Sequence, residues 1–96
     1  MILVGAELID TDKRRHPEAR ASLDRWLKVI KDSAFGSIPD LKLTFRKSYD
    51  YVPPNCHVFD IAHGRHRLVV VIDFASQLVR VEGIMDHKSY GRWRCI

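Results

Sequence analysis

The spacing of apolar residues in the first third of the chain predicts helices. The start, MILV, has the composition of a short strand that ends at Gly5, and a weakly helical pattern runs from Ala6 to Arg15. In HPEARASLDRWLKVIKDSAFG, apolar residues recur at i, i+3, i+4 and i+7 and so line one face of a charged helix. These residues are Leu23, Trp26, Leu27 and Ile30. Pro17 suits the first helical turn and Gly36 the end of the helix, which we interpret as scaffold with Trp26 in the core.

The later part of the chain predicts strands. The segment SIPDLKLTFRKSYDYVPPN contains three prolines, and we expect an irregular connection there. Three strand-like runs follow, namely CHVFDIA, HRLVVVIDF and LVRVEGIM, with inward-facing candidates Val58, Ile61, Val79, Val81 and Gly83. The turn HGRH around Gly64 joins the first two runs and ASQ joins the last two. Short loops between sequential strands predict an antiparallel meander, and helices followed by strands predict an α+β fold rather than a parallel βαβ fold.

Length and composition indicate one domain, residues 1–96, with no membrane segment. The longest apolar run, LVVVI, is far shorter than the roughly 20 residues that a membrane helix needs. The start of the chain lacks the basic region of a secretory signal. Two cysteines, Cys56 and Cys95, do not make a disulfide framework, so we expect free thiols and a cytoplasmic protein.

The positive charge lies in the second part of the chain. Residues 1–40 hold seven basic and seven acidic residues, whereas residues 41–96 hold nine basic and five acidic residues, which together make the net charge of +4. An uneven distribution of this kind favours a surface for phosphates or for an acidic partner. The alternative is a general bias towards solubility.

The motifs of several enzyme classes are missing. Cys56 and His57 are adjacent and would point to opposite faces of a strand, and His63 and His66 flank a turn without a second ligand pair. We therefore expect no metal and no cofactor. The chain also has no nucleophile elbow and no glycine-rich nucleotide loop.

What remains is a group of residues that the topology brings to one end of the sheet. In an antiparallel meander, the start of the second run lies beside the end of the third. Arg67 should therefore lie near the segment that contains His87 and Tyr90. A permanent cation, an imidazole and a phenol together suit phosphoryl chemistry. The alternative is that Arg67 and Tyr90 only cover apolar surface with their side chains.

The ordered segments resemble a known family. An A–L–W helix, a D-L-K…F connection, a V-F-D-I strand, a turn and strand with G…R-L, and a terminal H-x-x-Y occur in order across nearly the whole chain. This pattern resembles the HigB-type toxins of the RelE/ParE-like superfamily. The resemblance implies a helical N-terminal layer on a small antiparallel sheet, with a short C-terminal helix. It also implies a metal-independent endoribonuclease that cleaves mRNA, usually in the ribosome, and a helix-turn-helix antitoxin of the HigA type as partner.

The resemblance assigns roles to individual residues. Attack of a ribose 2′-OH on the adjacent phosphate needs a proton acceptor, a proton donor and a cation. By position, Arg67 would stabilise the phosphate, and His87 and Tyr90 would transfer protons and orient the substrate. Which of His87, His66 and Tyr90 accepts the proton stays open. The expected RNA-binding residues, chosen largely on charge, are Lys42, Arg46, Lys47, Lys88 and Arg92.

Four positions depart from the family pattern. Gly64 replaces an Asn of the turn, Asp86 a Thr before the histidine, Glu82 a basic residue of the last strand, and Gly91 an Asp after the tyrosine. Three of these changes remove a polar or positive contact or add negative charge, although Asp86 could instead orient His87. Three hypotheses follow: an RNA-cleaving toxin, a relative that binds RNA or ribosomes without cutting, and a subunit that only binds its antitoxin.

Overall fold

The computed structural model describes all 96 residues and confirms the α+β class. Its order is helices first and strands later, apart from one short N-terminal strand. The elements are β1 (Ile2–Val4), α1 (Ala6–Arg15), a 3-10 turn (Pro17–Ala19), α2 (Arg20–Asp32), α3 (Ile38–Phe45), a second 3-10 turn (Arg46–Ser48), β2 (Tyr49–Val52), β3 (Cys56–Ile61), β4 (His66–Asp73), β5 (Leu78–Asp86) and α4 (His87–Tyr90). None of the helices has the length and apolar character that a membrane span requires.

The five strands form one sheet in the order β1-β5-β4-β3-β2. The pairs β3–β4 and β4–β5 are antiparallel, which confirms the predicted meander, and β2 adds to it antiparallel to β3. The first strand lies at the far edge and pairs in parallel with β5. The sheet is therefore mostly antiparallel, with a single parallel pair at one edge.

The main core lies between the helices and one face of the sheet, which we call the helix face. The predicted apolar stripe of α2 is confirmed as part of this core. Leu23, Trp26 and Ile30 are buried, and Leu27 packs against the core at its margin. The Trp26 indole meets the Phe59 ring of β3 edge-on, with 5.4 Å between ring centroids. Such an aromatic pair contributes about 0.5–1.5 kcal/mol beyond the area it buries.

The prediction of an irregular connection before β3 is wrong. Residues 38–45 form α3, and residues 49–52 form β2. Pro39 is compatible with α3 because it lies in the first turn, where its missing N–H has no intrahelical partner in any case. The other two prolines, Pro53 and Pro54, come after β2 has ended and form part of the turn to β3.

A shift of register changes which residues of β5 face the helices. Val79 and Val81 are buried against them, as predicted, but the β4–β5 pairing shifts between Val69 and Val70. Beyond the shift, Gly83 pairs with Val69, which packs on the other face of the sheet, so the expected inward position of Gly83 is wrong. An extra residue in one strand reverses the side-chain alternation in this way.

The second face of the sheet, which we call the open face, carries a smaller apolar cluster. Cys56, Val58 and Val69 are buried there. Val58 and Ile61 are thus both buried, but on opposite faces, because Ile61 belongs to the main core. The residues that cover the small cluster include Val52, Met85, Tyr90, Trp93 and Cys95. Trp93 packs on this cluster and so holds the chain after α4 against the sheet.

Cys56 and Cys95 form a disulfide, so the expectation of free thiols is wrong. Their sulfur atoms are 2.06 Å apart and their Cα atoms 6.1 Å apart. A separation of 39 residues hides this pair in the sequence. The chain after α4 folds back over the beginning of β3 and brings the two cysteines together.

Candidate active site

Arg67 lies on the open face, near the start of β4, and its guanidinium is held by a carboxylate oxygen and a backbone carbonyl oxygen. It is paired across the strands with Asp60, and its Nε lies 3.1 Å from Asp60 Oδ1. Its Nη1 donates a hydrogen bond to the Gly64 carbonyl oxygen. The side chain is 17% exposed, and Nη2 makes no hydrogen bond within the protein. The cation is therefore held in place with one donor edge left for a ligand.

The turn before β4 makes room for this arginine. Gly64 has φ +86°, a conformation in which glycine carries no steric penalty. A Cβ at this position would lie 3.2 Å from Arg67 Nη1. Asn, which the resemblance leads us to expect here, also tolerates positive φ, so Gly64 keeps the same backbone without a side chain beside the guanidinium.

Tyr90 contacts Arg67, as the topology predicted. It ends α4, and its ring centroid lies 5.4 Å from Arg67 Cζ. The ring also stacks on Trp93, with 5.5 Å between centroids. Burial, the largest cause, and the nearby Asp50 raise the pKa of Tyr90 above its usual value, while Arg67 opposes them. The phenol is thus protonated at neutral pH, which suits a proton donor.

These groups line a shallow basin that is open to solvent. The lining residues are Lys47, Tyr49, Asp50, Val58, Asp60, Arg67 and Tyr90. Two cations and two carboxylates share the basin, so its charge is mixed rather than uniformly positive. Of the expected RNA-binding residues, only Lys47 lies here. The others, Lys42, Arg46, Lys88 and Arg92, are exposed at positions outside its lining.

The structure does not bring His87 into the basin. His87 is the exposed first residue of α4, one helical turn before Tyr90. Asp86 caps this helix, because its Oδ1 accepts a hydrogen bond from the Ser89 N–H at 2.7 Å. That hydrogen bond is the main reason that the pKa of Asp86 lies below its usual value. Asp86 therefore acts as a helix cap, a role that the family's Thr can also fill, and makes no hydrogen bond to His87.

His66 is buried on the helix face and does not reach the basin. It neighbours Arg67 in β4, and successive side chains of a strand point to opposite faces. Of the three candidates for proton transfer, His66, His87 and Tyr90, only Tyr90 lines the basin. The remaining departures are peripheral: Glu82 accepts a hydrogen bond from Arg80 at 3.1 Å, and Gly91 follows α4 with an ordinary helical backbone.

The two carboxylates of the basin, Asp50 and Asp60, were not among the predicted site residues. Asp60 pairs directly with Arg67, and Asp50 pairs with Val58 on the next strand. Asp60 could have been found by counting back from the HGRH turn, because hairpin register follows from the turn. Asp50 had no comparable signal, since the strand that carries it was expected to be irregular.

The amino-acid sequence matches a known protein family over most of its length. Residues 19–93 match the model of the HigB toxin family, described as the RelE-like toxic component of a toxin–antitoxin system. The matched segment contains α2, the whole meander and α4, and thus both Arg67 and Tyr90. A search of the curated proteins found no match.

Proposed function

We propose an RNA-cleaving activity for this chain, which belongs to the HigB family of RelE-like toxins of toxin–antitoxin systems. The observation that carries the proposal is the pairing of Arg67 with Tyr90 in an open basin. A fixed guanidinium with a free donor edge suits a phosphate, and a protonated phenol beside it suits a leaving oxygen.

The proposed reaction is a transfer within the RNA backbone. The ribose 2′-oxygen forms a bond to the adjacent phosphorus, and the bond from phosphorus to the 5′-oxygen breaks, which releases a 5′-OH fragment and a 2′,3′-cyclic phosphate. Arg67 stabilises the negative charge that develops on the phosphoryl oxygens. Tyr90 donates a proton to the departing 5′-oxygen, and His87 accepts the proton of the 2′-OH once RNA is bound.

Substrate binding must complete this arrangement, since His87 lies outside the basin in the free protein. Catalytic contacts often tighten only when a substrate is present. RNA that lies across α4 would contact Lys88 and Arg92 along with His87, and Lys47 would bind a phosphate at the other side of the basin.

The mixed charge of the basin favours a second hypothesis, in which the protein binds RNA without cutting it. Asp50 and Asp60 add two carboxylates to the surface on which a phosphate would lie. The ion pair with Arg67 neutralises part of the negative charge of Asp60, but Asp50 has no basic partner. A relative that binds RNA, the ribosome or its antitoxin without cutting would have this mixed charge.

The partners follow from the family and the reaction. Membership of a toxin–antitoxin family implies an antitoxin. We propose that this antitoxin is a helix-turn-helix protein of the HigA type, that the substrate is mRNA on the ribosome, and that the toxin acts in the cytoplasm, where mRNA is translated.

The test is induced expression of the wild type and of variants, with 5′-OH ends mapped on mRNA by primer extension. The wild type should arrest growth and create new ends. Arg67→Ala should lower cleavage by about 10²–10³-fold, the usual cost of losing a transition-state donor. His87→Ala and Tyr90→Phe should each lower it by about 10²–10⁴-fold. Arg65→Ala, an exposed arginine in the same turn, is the matched control and should cleave as the wild type does.

Each alternative hypothesis predicts a different outcome. Salt-sensitive binding to ribosomes without new ends would favour a binding relative that does not cut. Absence of toxicity, with tight binding to the antitoxin, would favour a pure interaction subunit. Growth arrest that is unchanged in both Arg67→Ala and His87→Ala would remove these residues from the mechanism.

A further inference from the structure

A cluster of histidines and carboxylates lies on the helix face, away from the basin. It consists of Asp12, His16, Glu18 and His66, and we call it the histidine–carboxylate cluster. Asp12 and His16 come from the end of α1, where the His16 N–H donates to the Asp12 carbonyl oxygen at 2.8 Å. Glu18 follows in the 3-10 turn, and His66 is the first residue of β4. Three separate elements therefore meet at these side chains.

Three of these residues place candidate ligand atoms close together. Ligand atoms of Asp12, His16 and His66 all lie within 4.8 Å of one another. Glu18 Oε1 lies 3.3 Å from His66 Nε2 and 3.5 Å from His16 Nδ1. Tetrahedral zinc with bonds of about 2.0–2.1 Å holds its ligand atoms about 3.4 Å apart. The ligand atoms of Asp12, His16 and His66 would each move inward by less than about 1 Å to reach this spacing, whereas Glu18 lies beside the two histidines and outside this set.

Two further observations point to a missing partner. Asp12 Oδ2 is buried and has no hydrogen-bond donor, an arrangement that is rare for a carboxylate oxygen. His66 is also buried, with a side chain only 7% exposed, and its one polar contact is Glu18. The lysine next to Asp12 does not neutralise the cluster, because Lys13 is paired with Asp24 at 2.6 Å.

We propose that the histidine–carboxylate cluster binds one divalent transition-metal ion of the zinc class, with Asp12, His16 and His66 as the protein ligands and water in the remaining position. Imidazole nitrogens and a carboxylate oxygen suit zinc. The ion would join the end of α1 to the start of β4. It lies on the face opposite Arg67 and Tyr90, so the proposed cleavage of RNA does not use it.

The test uses untagged, oxidised protein, in which the two cysteines are paired and do not compete for metal. The protein is stripped with chelator, incubated with zinc chloride and dialysed, and bound zinc is measured by elemental analysis. The wild type should retain one zinc per chain. His16→Ala and Asp12→Ala should lower the affinity by at least about 10–100-fold, the cost of losing even an outer-shell partner. His16 is partly exposed, so its replacement should leave the fold intact.

A matched control and two further measurements complete the design. His63→Asn removes an exposed histidine from a residue with positive φ, a conformation that Asn tolerates, and should bind zinc as the wild type does. Zinc should raise the unfolding midpoint of the wild type and of His63→Asn, but not that of His16→Ala. X-ray absorption should show nitrogen and oxygen ligands without sulfur.

The proposal is wrong if the wild type retains no zinc, or if His16→Ala and Asp12→Ala retain as much zinc as the wild type. If the wild type retains no zinc, the cluster is a set of hydrogen bonds and close polar contacts without a metal. Neither outcome bears on the proposed cleavage, which is read from 5′-OH ends.

Discussion

The disulfide between Cys56 and Cys95 makes a quantitative prediction about the C-terminal segment. α4 has only four residues, too few for a helix to be stable by itself. The segment after β5 is held by the packing of Tyr90 and Trp93 on the open-face cluster and by this covalent bond. Replacing Cys95 by Ser removes the bond while leaving the buried Cys56 in place.

The magnitude follows from the length of the closed loop. A bond between residues separated by 39 positions restricts the unfolded chain and should stabilise the fold by about 4 kcal/mol in the chain-entropy treatment. A domain of this size has a free energy of unfolding of about 5–15 kcal/mol. Loss of the bond should therefore remove a large fraction of the stability, and the Tyr90 that it helps to position should become less well ordered.

Urea unfolding followed by circular dichroism is the assay. Oxidised wild type should unfold at a clearly higher urea concentration than Cys95→Ser, with a difference in free energy of about 3–4 kcal/mol. Wild type treated with reductant should behave like Cys95→Ser, and reductant should have no effect on Cys95→Ser itself. Equal midpoints for oxidised wild type and Cys95→Ser would refute the reasoning.

Three further predictions concern single side chains. Asp86→Ala should lose about 1 kcal/mol of stability because the Ser89 N–H loses its acceptor, whereas Asp86→Thr should retain most of that stability. The urea unfolding midpoints of the two variants test this prediction, and equal losses in both would contradict the capping role of Asp86. Burial lowers the pKa of His57 to about 4, from about 6.5 in the unfolded chain, so its contribution to stability is present above pH 6.5 and is lost as the pH falls towards 4. The contribution of His57 to the free energy of unfolding is at most roughly 3 kcal/mol. Unfolding midpoints between pH 4 and 7 should therefore depend less on pH in His57→Gln than in the wild type. An equal pH dependence in the two proteins would contradict this role of His57. Asp50→Asn should bring the pKa of Tyr90 closer to its usual value and tighten RNA binding by about two- to fivefold, measured by binding at low and high salt, whereas weaker binding would show that Asp50 contacts the RNA favourably.

Much of the fold could be predicted because its signals are local. The apolar spacing of α2, the β-branched run of β4 and the HGRH turn each depend on a few neighbouring residues. The same meander predicts that Arg67 and Tyr90 lie at one end of the sheet. α3 and β2 were missed because the effect of a proline depends on its position within a helix or strand. A proline is compatible with the first turn of a helix but not with its interior, and the neighbouring residues do not show where the element begins.

The candidate site was predictable only in outline. The contact between Arg67 and Tyr90 follows from topology, and their proposed roles from the family. The exposed position of His87 depends on how α4 leaves the sheet, and Asp86 determines this by capping the helix. The carboxylates of the basin depend on cross-strand register, which apolar patterning alone did not reveal.

Local sequence patterns specify the class of the fold, the meander and the end of the sheet where the basic and aromatic residues meet. These follow from periodicity and turn residues, whose effect extends over only a few positions of the chain. Three other features depend on packing in three dimensions: the disulfide between Cys56 and Cys95, the ion pair of Asp60 with Arg67, and the contact of His16 with His66. In each case the partners are distant in sequence or lie on separate elements, and they come together because the packing of helices on the sheet and the return of the chain over β3 fix their positions in space.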